Sequence, residues 1–252
     1  MREVAMLGLL AFLVTGAIVG MRLLWLARRT GHQPERVLGM ALVALCILGY
    51  PLVLASRLLE TTARVPAELL GLAGNAGVAL CAVLVAEFTR RVFYPERAAA
   101  RAVLLALAAL ETVLVLGLSV ARRRAFASGA DAFGVMEAVT PWVLPFLLVL
   151  AVVFGWAGLE SARYHAVLRR RRALGLAEPE LVNRLLLWTV SMLSASGLIL
   201  GITTLRLAGA RITEHPAPML MSAVAGLTVS IAWYLAFLPP RAYRERLARA
   251  RG

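Results

Sequence analysis

Seven long apolar runs, separated by short polar connectors, fill most of this 252-residue chain. They span Val4–Ala27, Val37–Ser56, Ala67–Thr89, Ala98–Ala121, Ala138–Leu159, Leu181–Leu205 and Ala217–Leu238. A helix rises ~1.5 Å per residue, so roughly 20 apolar residues cross a hydrocarbon layer ~30 Å thick. Backbone N–H and C=O groups cannot stay bare in lipid, so each run is predicted to be helical. The fold class expected is therefore all-α: a polytopic bundle of seven transmembrane helices over residues 1–240, followed by a basic tail over 241–252. Prolines support the boundaries. Pro34, Pro66, Pro95, Pro179 and Pro216 each precede or open a run, where a missing N–H costs nothing. Pro51, Pro141 and Pro145 fall inside or beside runs and predict kinks in the second and fifth helices.

Composition agrees with this pattern. The chain is 61% hydrophobic, against ~45–50% in a soluble domain. The first run is not expected to be a cleavable signal, since Met1-Arg2-Glu3 gives no basic leader and no A-x-A site follows. The net charge of +13 comes from 27 arginines and no lysine against 14 acids. Without lysine, a retinal Schiff base is excluded; the arginine bias points to GC-rich bacterial coding. The arginines are scattered over connectors, so anionic headgroups are the expected partner and nucleic acid is not. Connectors one, three and five plus the tail hold 18 of them, and the other side holds 8. Positive residues stay cytoplasmic, which predicts the N-terminus outside and the C-terminus inside, at the bacterial inner membrane. Arg122-Arg123-Arg124 on the outer side runs against that rule. Trp25, Tyr94, Trp156, Trp188, Trp233 and Tyr234 lie towards inner ends of their runs, as interfacial anchors would.

Small residues mark the expected packing seams. Gly16 and Gly20 form a GxxxG; Gly71, Gly74 and Gly77 line the third run; Ser194, Ser196, Gly197 and Gly201 lie in the sixth. These are read as seams within one chain, because lipid offers no hydrophobic drive and close backbone approach takes its place. Cys46 and Cys81 are read as small residues at packed interfaces, with a bridge geometrically conceivable. A faint echo between Arg91–Arg97 and Arg241–Arg246 is compatible with a 3+1+3 repeat.

Charged groups inside the runs are the candidates for chemistry, since an ionised side chain at the bilayer centre costs at least ~2.5–3.5 kcal/mol. Glu111 lies about 20 Å from the inner start of the fourth run, counting ~1.5 Å per residue. Asn75, Ser194 and Thr15 fall near the same depth. A midplane polar layer built on Glu111 and Asn75 is expected, with desolvation favouring the neutral acid. Arg22 and Glu87 form a candidate ion pair a turn or two inside the inner boundary. On the inner face, Arg169, Arg170, Arg171 and Arg172 with Arg241, Arg244 and Arg246 form a basic cuff for lipid headgroups or a cytoplasmic partner. His32, His165 and His215 all fall in connectors, so no metal or haem site is expected and no cofactor is called for. That argues against seven-helix zinc hydrolases. Ser194-Ala195-Ser196-Gly197 superficially resembles the serine motif of rhomboid proteases, but no base lies within reach.

The N-out, C-in plan resembles bacterial seven-helix sensor regions, such as those preceding histidine kinases. The resemblance rests on topology and, loosely, on the Trp25–Gly39 and Ala236–Arg246 flanks; it carries no functional residue. It implies a non-enzymatic receptor-like or assembly module binding an apolar ligand, a lipid or a protein partner. The alternative is a small transporter using the midplane polar layer around Glu111 and the kinked second and fifth helices; for Glu111 itself a structural interhelical bond, a ligand-cavity wall and a proton-coupling carboxylate all stay open.

Overall fold

The computed structural model describes residues 2–60, 62–208 and 216–249. Among them every regular element is a helix. Seven are long and apolar enough to cross a membrane. They are α1 (Arg2–Thr30), α2 (Gln33–Leu59), α3 (Arg64–Phe93), α4 (Ala98–Ala127), α5 (Ala132–Ala173), α6 (Pro179–Leu207) and α7 (Pro216–Phe237). A short basic helix, α8 (Arg241–Arg249), follows. This is the architecture of a multi-pass membrane protein. Leucine and valine side chains such as Leu105, Val113 and Val152 stand exposed on the outer faces, as lipid contact requires.

Two compact units are present, residues 20–150 and residues 1–19 with 151–252. This division does not follow a 3+1+3 repeat. In the first unit, α2 is not uniform. Residues Ala44–Gly49 form a π-helical turn, in which Tyr50 N–H donates five residues back to the Leu45 carbonyl. The turn ends two residues before Pro51, whose ring would otherwise clash with the preceding carbonyls; widening the helix there relieves the clash. The expected disturbance of α2 is thus a π turn. In α5, by contrast, Pro141 and Pro145 are carried inside one uninterrupted helix.

The wide turn is packed against α3 by absence of side chains. A Cβ added at Gly77 would lie 2.9 Å from Gly49 N, and one at Gly74 would lie 2.7 Å from Val53 N. Likewise a Cβ at Gly39 would meet Gly20 O at 3.0 Å, so Gly20 joins α1 to α2 within the chain. In the second unit Gly8 and Gly226 make the α1–α7 crossing, where a Cβ on Gly226 would come 2.6 Å from Gly8 O. Backbone contact of this kind is what drives association in lipid. Cys46 and Cys81 are free and buried, the packing role expected of them.

Two sequence expectations need correction. The fifth connector was expected to begin at Glu160, yet α5 runs on to Ala173. Its 42 residues reach about 63 Å at ~1.5 Å per residue, far more than a bilayer core needs. Hydropathy falls after Leu159, but Ala, Leu and Arg remain good helix formers, so the helix does not stop where the apolar run does. Gly175 ends it in the left-handed conformation at φ 73°, with Leu176 N–H donating to Arg171 O at 2.9 Å. The second correction concerns the aromatics. Trp188 and Trp233 are buried, packing on Phe237 and Phe12 at ring separations of 6.2 and 5.3 Å. Trp25 does stand exposed, with the Arg29 guanidinium 3.7 Å above its ring.

Candidate functional site

On α4 the buried positions are Glu111, Leu114, Val115, Leu118 and Ala125, one stripe at i, i+3, i+4, i+7 and i+14. Glu111 therefore occupies a protein-facing position and is only 1% exposed. Neither carboxyl oxygen has a hydrogen-bond partner among the described residues. Asn75, on the neighbouring α3, does not supply one. It is half-buried, and its amide nitrogen donates to Gly71 O of its own helix at 2.8 Å. The expected Glu111–Asn75 bond is thus not made. Thr15 and Ser194 are half-buried and belong to the other unit.

The Arg22–Glu87 pairing is also corrected. Glu87 is gripped by its own helix: Arg90 Nε and Nη2 donate to its two oxygens at 2.7 and 2.8 Å, and Arg91 Nε bonds the same carboxylate. Partners three and four residues away lie on the same face and are held there by the helix itself. Arg22 is left exposed on α1, free to extend to headgroups.

One polar cluster was not anticipated. The Arg122 guanidinium donates to Ser56 Oγ at 2.9 Å and lies 3.4 Å from Glu60, while Ser56 Oγ donates to Ala67 O at 2.8 Å. The cluster ties the end of α2 to the start of α3 and the end of α4. Gly71 admits it, because a Cβ there would collide with the guanidinium. Arg123 reaches Glu68 at 4.0 Å. The sequence signals were the misplaced arginine triplet and the third-run glycine, each read separately. Acids near one end of the bundle answer two of the three arginines.

The basic end has its own form. Arg169, Arg170 and Arg171 are exposed along the extension of α5, beyond Leu159, and Arg172 is half-buried. Arg169 and Arg172 border an open groove of about 740 Å³, which Gly175, Glu178 and Pro179 also line. Arg241, Arg244 and Arg246 are exposed on α8, which is fastened to α6 by Tyr243 OH donating to Asn183 Oδ1 at 3.0 Å.

Catalytic arrangements do not assemble among the described residues. Ser196 donates across to Ala151 O of α5 at 2.8 Å, which makes it interhelical glue instead of a nucleophile. His165 is on α5, not in a connector, and its Nδ1 lies 3.0 Å from Val182 O. His32 faces Glu35 at 3.3 Å, and His215 lies outside the described residues. No cluster of three or more metal-binding side chains occurs among the described residues.

Fold and site together define an all-helical, multi-pass membrane bundle with a buried lone carboxyl and an arginine-bearing helical extension. Searches of protein-family models, curated proteins and solved structures found no match to the chain.

Proposed function

We propose that the chain is a non-enzymatic receptor-like or assembly module of the bacterial cytoplasmic membrane, with its N-terminus outside and its C-terminus in the cytoplasm. Its bundle binds an apolar ligand, a lipid or a protein partner, and its output surface is the arginine-rich inner face. One observation carries this reading: α5 continues unbroken from its apolar span through Arg169–Arg172. Past Pro145 the helix contains no further proline, so from Ala151 to its end its internal hydrogen bonds are complete, and a tilt or rotation of that stretch is conveyed directly to the arginines. Arginine supplies both the cytoplasmic bias and an adhesive for anionic headgroups, at about 1 kcal/mol each.

A photoreactive amino acid placed at Arg170 or Arg244 tests the proposal in bacterial cells. The expected result is a protein adduct of discrete mass, lost in the Ala166→Pro variant while the protein still inserts. Proline at that point breaks the extension but spares the apolar span. Adducts to lipid alone at both positions would overturn an output role for this face. A C-terminal reporter active only outside the cytoplasm would reverse the orientation.

A further inference from the structure

We propose that Glu111 is a proton-binding site, a carboxyl that takes up and releases a proton while the bundle remains folded. The argument starts from its position on the buried stripe of α4 and from the lack of any partner for either oxygen among the described residues. An ionised carboxylate enclosed without a donor bears the full desolvation cost, so such a group holds a proton at rest. Structural acids in membranes are bonded to a neighbour. The amide and hydroxyl side chains of α3 and α4 are committed to their own helices. Asn75 bonds Gly71 O, Thr89 bonds Val85 O, Thr112 bonds Ala108 O and Ser119 bonds Val115 O. The cations of α3 fare no differently, since Arg90 and Arg91 both hold Glu87.

A role in cohesion would require a bond that Glu111 does not make. Leucine at this site would pack without the desolvation cost. What distinguishes the carboxyl from any apolar residue of that size is its exchangeable proton. The groups that face it are few. From α3, the Cys81 thiol lies within electrostatic reach of the carboxyl. On α5 no titratable side chain occurs between Glu137 and Glu160. On α4 itself the nearest charged residues are Arg101 and Arg122, ten and eleven positions away, the second bound to Ser56 and Glu60. Titration of Glu111 therefore changes the charge of its surroundings alone, with no neighbouring carboxylate or cation to compensate. The inference holds whether the bundle signals or transports.

The test is infrared difference spectroscopy on the whole protein in liposomes, perfused with buffers of stepped pH. A protonated carboxyl has its own C=O stretching band, separate from carboxylate and amide bands. The expected outcome is a carboxylic-acid band that appears and disappears reversibly with pH, is abolished in Glu111→Gln and is moved in frequency in Glu111→Asp. The aspartate variant keeps the acid, so it also serves if the glutamine variant fails to fold. A Glu111 band that does not respond to pH would mark a permanently neutral acid and overturn the proposal. So would a wild-type spectrum in which no carboxylic-acid band depends on Glu111.

Discussion

Replacing Gly71 by alanine should destabilise the protein, and most of that effect should disappear when Arg122 is absent. A Cβ on Gly71 falls on the Arg122 guanidinium. Since that group is the end of a flexible side chain, it moves aside, and the loss is that of its bonds. One is a charged hydrogen bond to buried Ser56, a class contributing about 1.5–3 kcal/mol. The ion pair with Glu60 adds a smaller part, about 0.2–1 kcal/mol, because the two side chains keep 14% and 21% of their exposure. Arg122→Ala should therefore cost about 2–4 kcal/mol. Gly71→Ala loses the same bonds but gains helix propensity, about 1 kcal/mol, so its net cost should be about 1–3 kcal/mol.

In the Arg122→Ala background the guanidinium is gone and only Ser56 Oγ, 2.9 Å from the new methyl, is left to shift, so Gly71→Ala should cost about 2–4 kcal/mol less than it does in the wild type. The double-mutant cycle, measured by denaturant unfolding in detergent micelles with circular dichroism, isolates the coupling. Equal destabilisation by Gly71→Ala in both backgrounds would refute the reasoning. Because Ser56 Oγ meets the methyl in both backgrounds, it cannot produce the difference between them.

Further outcomes follow from the same structure. Gly77→Ala should cost about 1–3 kcal/mol in the same unfolding assay, because the methyl meets the Gly49 backbone at 2.9 Å and backbone cannot rotate away. Gly197→Ala, with nothing within 4 Å, should be neutral or slightly stabilising. Glu87→Gln should cost about 3 kcal/mol by stranding Arg90, which is 8% exposed, whereas Arg22→Gln should stay within about 0.5 kcal/mol. For the same reason, exchanging charges between positions 22 and 87 should not restore expression lost in the Glu87→Arg variant, as judged by immunoblot of membrane fractions.

The seven helices were legible because length and hydropathy alone decide whether a segment can cross lipid, and both are written in the chain. Their ends were less so. Past Leu159 polarity rises while helix propensity does not fall, and a hydropathy window registers only the first of these. Pro51 pointed to a disturbance in α2, but a π turn and a kink satisfy the same proline, and the choice was settled by Gly49 meeting Gly77. The depth of Glu111 was readable by counting residues; its isolation was not. Asn75, counted to a similar depth, turns to its own Gly71 carbonyl, and depth in a membrane does not specify rotamers. Arg22 was offered to Glu87 across helices, although Arg90 and Arg91 stood three and four residues away and needed no tertiary contact to reach it.

The hydroxyls of this bundle say what holds it together. Thr89, Thr112, Ser119, Thr140, Thr189, Thr203 and Ser230 all donate to carbonyls four residues back in their own helices. Such bonds satisfy the hydroxyl but join nothing to anything else. Among the described residues, Ser196–Ala151 and the Arg122–Ser56–Ala67 relay are polar bonds that do cross between helices. Each interhelical bond in lipid is worth only about 0.6 kcal/mol on average, so these cannot account for most of the packing. Close approach at Gly8, Gly20, Gly49 and Gly77, with the dispersion contacts of the side chains buried around them, accounts for the rest. A bundle held by backbone proximity has no use for a buried acid as glue, and that is why the unbonded carboxyl of Glu111 is better explained by the proton it can exchange than by the helices it lies between.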